Sequence, residues 1–222
     1  MNTRTALLLG ATGLVGGHCL DLLLADAAYD AVVTLGRRPL GRSHPQLTHH
    51  VVDFDRLTDA ASLIEARDVF CCLGTTMKKA GSKEAFRKVD YEYPVAAARI
   101  AEANGAEQYL LISALGAGTR SLVFYNRVKG EVEEAICALS FDGVYVLRPS
   151  LITGDREDAR AGEQASERVL GALSFVLRGP FRKYRPIEAR TIARAMVTMA
   201  KRQPGGVRVI ESDQIPVEAS KG

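Results

Sequence analysis

The residues ALLLGATGLVGGHCL, at positions 6–20, decide the fold. An apolar run is followed by three glycines spaced three apart and then by further apolar residues. This order predicts a β-strand, a tight turn and a helix. In such a turn Gly10 permits the sharp reversal, Gly13 lets the backbone approach a pyrophosphate, and Gly16 lets the helix pack closely on the strand. The amide groups that begin the helix would then face the anion.

The glycine spacing on its own is a weak signal, because 20 of the 222 residues are glycine. Its position after a strand and at the start of a helix is the stronger observation. We therefore predict a phosphate-binding turn, with a tight turn that binds no ligand as the alternative.

Strand and helix patterns alternate along most of the chain. Apolar runs predict strands over 6–10, 30–36, 48–54, 68–74, 107–114, 142–150 and 205–211. The segments between them predict helices over 14–26, 55–65, 85–104, 122–139, 164–178 and 188–202. This order predicts the α/β class, a doubly wound parallel sheet with helices on both faces. The irregular stretch 151–187 is expected to form a short cap within a single domain of residues 1–222, facing the crevice at the carboxyl ends of the strands.

Composition restricts the class of partner. The chain has 29 Lys and Arg against 26 Asp and Glu, and a net charge of +3 is too small to indicate a nucleic-acid-binding protein. No apolar run approaches the roughly 18 residues of a membrane span, so no membrane partner is expected. Neither the four cysteines nor the four histidines have the spacing of a disulfide framework or a metal site. Reduced, buried thiols indicate a cytoplasmic protein.

The residues after the second predicted strand indicate which dinucleotide would bind. Units that bind NAD usually place an acidic residue there, where it accepts the ribose 2′-hydroxyl. Here Arg37 and Arg38 follow Gly36 instead. A guanidinium binds a 2′-phosphate through paired hydrogen bonds, whereas a carboxylate repels it. We therefore predict NADP(H), with Arg37 as the main contact, and two solvated arginines are the alternative.

Two further strand ends are expected beside the nucleotide. Asp53 and Phe54 end the third strand, where a carboxylate commonly meets the adenine amino group, and a helix cap explains Asp53 equally well. Gly74 and Thr75 follow the fourth strand, where a glycine would let the chain pass close to a ribose. A tight turn without a ligand would also favour a glycine at that position.

A phenol and an ammonium lie four residues apart in Tyr125-Asn-Arg-Val-Lys129. On a helix they share one face. A neighbouring cation favours the phenolate and lowers the pKa of a tyrosine from about 10, as acid–base catalysis near neutral pH requires. A surface pair is the alternative, but the position on the helix after the fifth strand favours catalysis. Ser113, at the end of that strand, is a candidate hydrogen-bond partner of the substrate oxygen and of Tyr125.

Several motifs taken together resemble one superfamily. GATGLVG, the strand-terminal Ser113, YxxxK and the RPS of residues 148–150 resemble the short-chain dehydrogenase/reductases. VVDFDRL, FCCLGTTMKKAG, YNRVKGEVEEA and LRPSLITGDREDARAGE are similar to its atypical, compact branch, typified by the Tat-interacting oxidoreductase-like protein. The likeness extends from about residue 5 to 165 and weakens through the C-terminal helix.

The resemblance implies a set of site residues. Tyr125 would be the acid and base, Lys129 would bind the nicotinamide ribose, and the residues after Pro149 would offer backbone groups to the carboxamide. The superfamily often places its catalytic hydroxyl second in a Ser-Ser or Ser-Thr pair, and because Ala114 stands there the role of Ser113 stays open. The predicted cofactor-binding residues are Gly10, Thr12, Gly13, Leu14, Val15, Gly16, Arg37, Arg38, Asp53, Phe54, Leu73, Gly74, Thr75, Tyr125, Lys129, Pro149, Ser150 and Leu151.

Two functions agree with these observations. The first is an NADP(H)-dependent oxidoreductase that transfers hydride to a small carbonyl substrate while Tyr125 protonates its oxygen. The alternative is an NADPH-sensing regulatory protein that acts through a partner protein. The Tyr125–Lys129 pair favours the enzyme, whereas Ala114 and the short cap favour the sensor. Helices near 90–104 and 122–139 are candidates for the contact of a homodimer.

Overall fold

The computed structural model describes residues 4–154 and 179–222. Its strands are β1 (Thr5–Leu9), β2 (Ala31–Gly36), β3 (Leu47–Val51), β4 (Asp68–Cys71), β5 (Gln108–Ile112), β6 (Gly143–Arg148), β7 (Ile152–Thr153), β8 (Ile187–Glu188) and β9 (Gly206–Glu211). One parallel sheet has the order β3-β2-β1-β4-β5-β6-β9, and β7 pairs with β8. The doubly wound α/β fold that the sequence predicts is confirmed.

The helices of the described residues pack on both faces of this sheet. They are α1 (Leu14–Ala25), α2 (Met77–Ala80), α3 (Lys83–Arg87), α4 (Tyr93–Ala103), α5 (Phe124–Cys137), α6 (Ala189–Arg202) and α7 (Ile215–Ala219). The helix predicted over 164–178 and most of the cap predicted over 151–187 lie outside the described residues. The assignment of that stretch as a cap therefore stays a prediction.

Burial on both faces explains why the central strands are almost entirely apolar. Every residue of β5 is buried. In β1, Leu8 belongs to the core layer beneath α1 and α6, whereas Leu7 and Leu9 belong to the layer beneath α4 and α5. This alternation follows from the two-residue period of a strand, since successive side chains point to opposite faces.

The strand order places a crevice at the carboxyl ends of β1 and β4. The chain runs from β1 outward through β2 to β3, then returns to the other side of β1 and continues through β4, β5 and β6. Leu9 and Cys71, the last residues of β1 and β4, lie in register. Loops that leave these strands in opposite directions open a crevice there, which is where ligands bind in sheets of this type.

Two predicted helices are less regular than the sequence pattern suggests. The segment predicted over 55–65 forms 3₁₀ turns over Phe54–Leu63. The long helix predicted over 85–104 begins earlier, as α3, and passes through a π-helical turn at Lys88–Glu92 before it continues as α4.

Pro94 accounts for the π-helical turn. Proline has no N–H, and in a regular α-helix its ring clashes with the carbonyl group four residues earlier, here that of Asp90. The helix widens at this point, and the N–H of Tyr93 donates to the carbonyl oxygen of Lys88, five residues back. Such turns are frequent at functional sites.

Candidate functional site

Three glycines bring the end of β1, the start of α1 and the end of β4 into direct contact. Gly10 has a φ of +83°, in the left-handed region, and a Cβ there would lie 2.6 Å from the carbonyl oxygen of Cys72. A Cβ at Gly16 would lie only 2.0 Å from the carbonyl oxygen of Gly10, and one at Gly13 would lie 3.2 Å from the same atom. The tight turn and the close helix–strand packing therefore have the form that the glycine spacing predicts.

The N-terminal end of α1 suits an anion. Its N-cap residue, Gly13, has no side chain that accepts a hydrogen bond from the first turn. The first amide groups of a helix have no partner within it and carry the positive end of the helix dipole. Thr12 is exposed above this turn, while Val15 is buried below it. The residues present thus fit a pyrophosphate, because neither a capping side chain nor a Cβ occupies the approach.

Arg37 and Arg38 are exposed at the carboxyl end of β2, on one side of the glycine turn. The charge of Arg37 acts on Tyr93 at the start of α4. The ring of Tyr93 packs on Phe54 with 5.3 Å between ring centroids, and its hydroxyl donates to Oδ1 of Asp55 over 2.7 Å. Burial and the hydrogen-bonded Asp55 together raise the pKa of Tyr93 to about 12, and the charge of Arg37 opposes this rise. Tyr93 therefore organises the end of the site where the sequence predicts the adenosine.

Asp53 acts as a local cap. Its Oδ1 accepts a hydrogen bond of 2.9 Å from the N–H of Asp55 and so begins the 3₁₀ segment. The capping alternative for Asp53 is therefore observed, while its contact with an adenine stays a prediction.

His49 supports the backbone that carries the two arginines. Its Nε2 donates to the carbonyl oxygen of Arg38 over 3.0 Å, and its Nδ1 lies 2.8 Å from Oγ1 of Thr34. The ring also fills the space beside Gly36, where a Cβ would lie 2.9 Å from Cε1 of His49. A glycine at the end of β2 thus permits the histidine to fix the direction of the loop.

Tyr125 and Lys129 lie one turn apart on α5, at the carboxyl edge of the sheet. The Tyr125 ring packs on the buried Phe86 with 5.4 Å between centroids. Lys129 is only 4% exposed, and its Nζ lies 2.7 Å from Oδ1 of Asp90. The other carboxylate oxygen of Asp90 accepts a hydrogen bond of 2.8 Å from the N–H of Thr75. Tyr125 and Lys129 thus lie together on α5, as their spacing predicts, and the buried carboxylate of Asp90 is a partner that the sequence did not predict.

The electrostatic balance at Lys129 keeps it charged. Burial on its own disfavours the ammonium form, but the charges of Asp90 and Tyr125 outweigh it, so the pKa of Lys129 is raised above its usual value. Gly74 leaves room beside this charge, since a Cβ there would lie 3.8 Å from Nζ. An exposed glycine next to a fixed ammonium is what a ribose hydroxyl needs in order to approach.

Ser113 lies directly after β5 and is 4% exposed. Its N–H donates to the carbonyl oxygen of Leu147 over 2.8 Å. Within the residues that the structure describes, its hydroxyl oxygen has no hydrogen-bond partner. Buried hydroxyl groups are normally satisfied, so this one is suited to a ligand. Ala114, the next residue, is buried and has no hydroxyl to offer.

Gly130 holds the loop that follows Ser113 against α5. A Cβ at Gly130 would lie 2.3–2.5 Å from three backbone atoms of Gly118. The N–H of Gly118 donates to the carbonyl oxygen of Asn126 over 3.0 Å, which fixes the same contact. Gly130 follows Lys129 directly, so the close approach of loop and helix lies beside the Tyr–Lys pair.

Substitution of Gly130 by Ala is expected to destabilise the chain by more than about 2 kcal/mol, because the methyl group meets backbone that has little freedom to move. Gly118→Ala is the matched control, since a Cβ there meets nothing within 4 Å. Denaturant unfolding of both variants measures the difference. Equal midpoints for the two variants would show that the contact contributes little.

The segment after β6 is tied to its surroundings through its own backbone. The N–H of Ser150 donates to Oγ of Ser212 over 3.0 Å, and the carbonyl oxygens of Pro149 and Leu151 accept from Leu115 and Ile187 at 2.9 Å each. The predicted carboxamide contact through the Ser150 N–H therefore competes with an internal hydrogen bond. A second contact brings this segment to the glycine turn, since a Cβ at Gly154 would lie 3.3 Å from Leu14.

Sequence reasoning did not single out Asp90, Phe86, Tyr93, Gly130 or His49. For Asp90 a signal exists, because Phe86, Asp90 and Pro94 are spaced four apart and share a helix face with the predicted core. A carboxylate on such a face is rarely buried unless it has a partner. The other contacts join residues distant in the chain and have no local signature.

Together, the doubly wound parallel sheet and the glycine turn between β1 and α1 have the form of a dinucleotide-binding domain of the short-chain dehydrogenase/reductase type. The family model described as NAD(P)H-binding matches residues 10–200. The chain belongs to this family, in its atypical short-chain dehydrogenase/reductase branch.

Relatives named in animals and fungi are similar over most of the chain. Protein HTATIP2 of Rattus norvegicus is 36% identical over 177 residues, which cover 78% of this chain and 73% of that protein. The mitochondrial protein fmp52 of Emericella nidulans is 38% identical over 177 residues, 76% of each chain. The fmp52 protein of Aspergillus clavatus is 35% identical over 221 residues, 96% of this chain and 91% of its own.

Solved structures of sugar-nucleotide enzymes have the same fold. MoeE5 in complex with UDP-glucose and NAD matches with a TM-score of 0.70 at 16% identity, covering 98% of this chain and 81% of its own. The UDP-N-acetylglucosamine 4-epimerase of Methanobrevibacter ruminantium matches with a TM-score of 0.71 at 16% identity, covering 95% and 77%. At this level of identity the likeness concerns the fold alone.

Two features are absent from residues 4–154 and 179–222. There, no helix has the length and apolar character needed to cross a bilayer. The same residues contain no group of three or more His, Cys, Asp or Glu side chains arranged to hold a metal ion. The four cysteines are free thiols, with Cys19 and Cys71 buried.

Proposed function

We propose that this protein is an NADP(H)-dependent oxidoreductase that acts on a small carbonyl substrate, with Tyr125 as the acid and base. The observation that carries the proposal is the placement of Tyr125 beside a buried, charged Lys129 at the same sheet edge as the uncapped glycine turn. Residues that only packed α5 on the sheet would not require a buried lysine, because burying a charge is costly.

In this reaction each residue of the candidate site would have its own role. Gly10, Gly13 and the first turn of α1 would hold the pyrophosphate, and Lys129 would bind the nicotinamide ribose. The nicotinamide supplies or accepts the hydride when it is bound. Tyr125 donates its hydroxyl proton to the substrate oxygen during reduction and takes a proton back during oxidation. Ser113, with its unpartnered hydroxyl, would hold the same substrate oxygen by a hydrogen bond.

The preference for NADP(H) over NAD(H) rests on the two exposed guanidinium groups after β2. Arg37 lies close enough to Tyr93 to oppose the rise in its pKa, so its charge lies at the end of the site where the sequence predicts the adenosine. The carboxylate that NAD-binding units place here is replaced by cations, which attract a 2′-phosphate.

Replacing Arg37 with Asp is expected to reverse the cofactor preference. Loss of two charge-assisted hydrogen bonds and the new repulsion should lower the ratio of NADPH to NADH affinity by about 100-fold. Fluorescence or calorimetric titration with both nucleotides measures this ratio. Arg99→Asp, the same charge change at an exposed position of α4, is the control and should leave the ratio unchanged. An unchanged ratio in the Arg37 variant would remove Arg37 from the site.

A second function, an NADPH-sensing regulatory protein, is favoured by one observation. The superfamily often places its catalytic hydroxyl second in a Ser-Ser or Ser-Thr pair, and here the buried Ala114 stands in that place. A sensor would bind NADPH tightly without turnover over any panel of aldehydes, ketones and quinones. The cytoplasmic location predicted from the thiols also stays a proposal, since the fungal relatives are named mitochondrial.

A further inference from the structure

Asp90 and Lys129 form a buried ion pair at the centre of the candidate site. Their side chains are 0% and 5% exposed, and Oδ1 of Asp90 lies 2.7 Å from Nζ of Lys129. The second carboxylate oxygen accepts the N–H of Thr75 over 2.8 Å. Asp90 thus joins the π-helical turn, the loop after β4 and helix α5.

A buried ion pair is not an efficient means of stabilising a fold. Removing two charges from water costs about as much free energy as their attraction returns, and apolar residues of similar volume often serve as well. The neighbouring positions of the same face, Phe86 and Pro94, are buried and apolar. The carboxylate is therefore better explained by what it does to Lys129 than by packing.

We propose that Asp90 is the positioning residue for Lys129. Its carboxylate holds the ammonium beside Tyr125 and offsets the ammonium's charge, so that the Tyr125–Lys129 pair releases a proton less readily than it would without Asp90. The inference rests on the function proposed above and extends it, because a pair that retains its proton favours Tyr125 as an acid, the role needed for carbonyl reduction.

The charged and titratable groups that act on Lys129 come from three elements. Tyr125 lies on the same helix, Asp90 on the π-helical turn, and Cys71 at the end of β4. Burial raises the pKa of the Cys71 thiol to about 11, so this group is neutral across the physiological range. Asp90 is then the group whose charge opposes that of Lys129 near pH 7.

The Asp90→Asn substitution tests the proposal with little change in shape. Its amide oxygen still accepts the N–H of Thr75, but the negative charge is gone. Removing an anion from two coupled groups lowers the apparent pKa at which the pair loses a proton, here by about one pH unit or more. If Asp90 served packing alone, the Asp90→Asn variant would unfold more easily, but the apparent pKa of the pair would not shift.

Two readouts measure the shift. The first is the tyrosinate absorbance of the full chain, followed as a function of pH. The chain has seven tyrosines, and subtracting the titration of Tyr125→Phe leaves the signal of Tyr125. The pH profile of carbonyl reduction should lose its high-pH side about one unit earlier in Asp90→Asn. Glu107→Gln is the matched control. Glu107 pairs with Arg67 over 2.7 Å just before β5, at the amino ends of the strands and so away from the candidate site. Neither readout should move in that control.

An unchanged titration of Tyr125 in a folded Asp90→Asn variant would overturn the proposal. If the variant does not fold, the protonation state of Lys129 is measured in the wild-type chain by NMR of its side-chain nitrogen. The Lys129→Arg variant assigns the signal. The ammonium signal should persist at pH 10, and a neutral amine at pH 9 would contradict the proposal. A wild-type chain without turnover on any carbonyl compound would defeat the proposed function, while the absorbance titration would still test Asp90.

Discussion

Tyr125→Phe is expected to slow NADPH-dependent carbonyl reduction by about 10²- to 10⁴-fold, the usual contribution of a positioned proton donor. The ring contact with Phe86 needs no hydroxyl, so the fold should be retained. Nucleotide affinity should change little, because the glycine turn and Arg37 are untouched. Steady-state turnover and nucleotide titration on the same preparation separate the two effects.

Tyr91→Phe is the matched control for the loss of a phenol hydroxyl. Tyr91 lies on the π-helical turn, where its ring stacks under Arg87 at 4.3 Å, and this contact also needs no hydroxyl. Its turnover should match that of the wild type. Turnover that survives in Tyr125→Phe would remove the proposed mechanism, whereas tight NADPH binding without turnover in the wild type would favour the sensor.

Gly16→Ala is expected to be the most damaging single substitution for the fold. The added methyl carbon would lie 2.0 Å from the carbonyl oxygen of Gly10, well inside the van der Waals contact distance. Neither atom can move away by a side-chain rotation, because one is a Cβ and the other is a backbone oxygen. The clash is relieved only if α1 moves away from β1. We therefore expect the free energy of unfolding to fall by more than about 3 kcal/mol and nucleotide binding to be lost.

The next residue supplies the control for this substitution. A Cβ at Gly17 would lie 3.8 Å from the carbonyl oxygen of Ala11, an ordinary contact. Gly17→Ala should therefore be neutral or stabilise the helix by about 0.5–1 kcal/mol. Thermal and denaturant unfolding of both variants compares them directly. A Gly16→Ala chain as stable as Gly17→Ala would contradict the close packing of α1 on β1.

The fold could be predicted from the sequence because its signals are local. Strand β5 is buried throughout and apolar after Gln108, and the glycines at 10, 13 and 16 mark a turn whose form depends on backbone geometry alone. The regularity of helices was predicted less well. Pro94 forces a π-helical turn whose place depends on how the widened helix packs, which the apolar pattern does not record.

The candidate site could be predicted where its residues belong to one segment. Tyr125 and Lys129 share a helix, so their spacing was sufficient. The partner of Lys129 is Asp90, 39 positions earlier in the chain, and only the packing of the π-helical turn against α5 brings them together. Tyr93 likewise meets Asp55 through tertiary contact. The spacing of Asp90 from Phe86 and Pro94 indicates that it is buried, but neither pairing has a signature in a single sequence.

The central claim is that the glycine turn and Arg37 bind a phosphorylated dinucleotide. Isothermal titration calorimetry of the full chain with NADPH and with NADH tests it most directly. We expect saturable binding of NADPH at one site per chain, with NADH bound more weakly. A chain that releases no heat with either nucleotide would contradict it, and both proposed functions would fall with it.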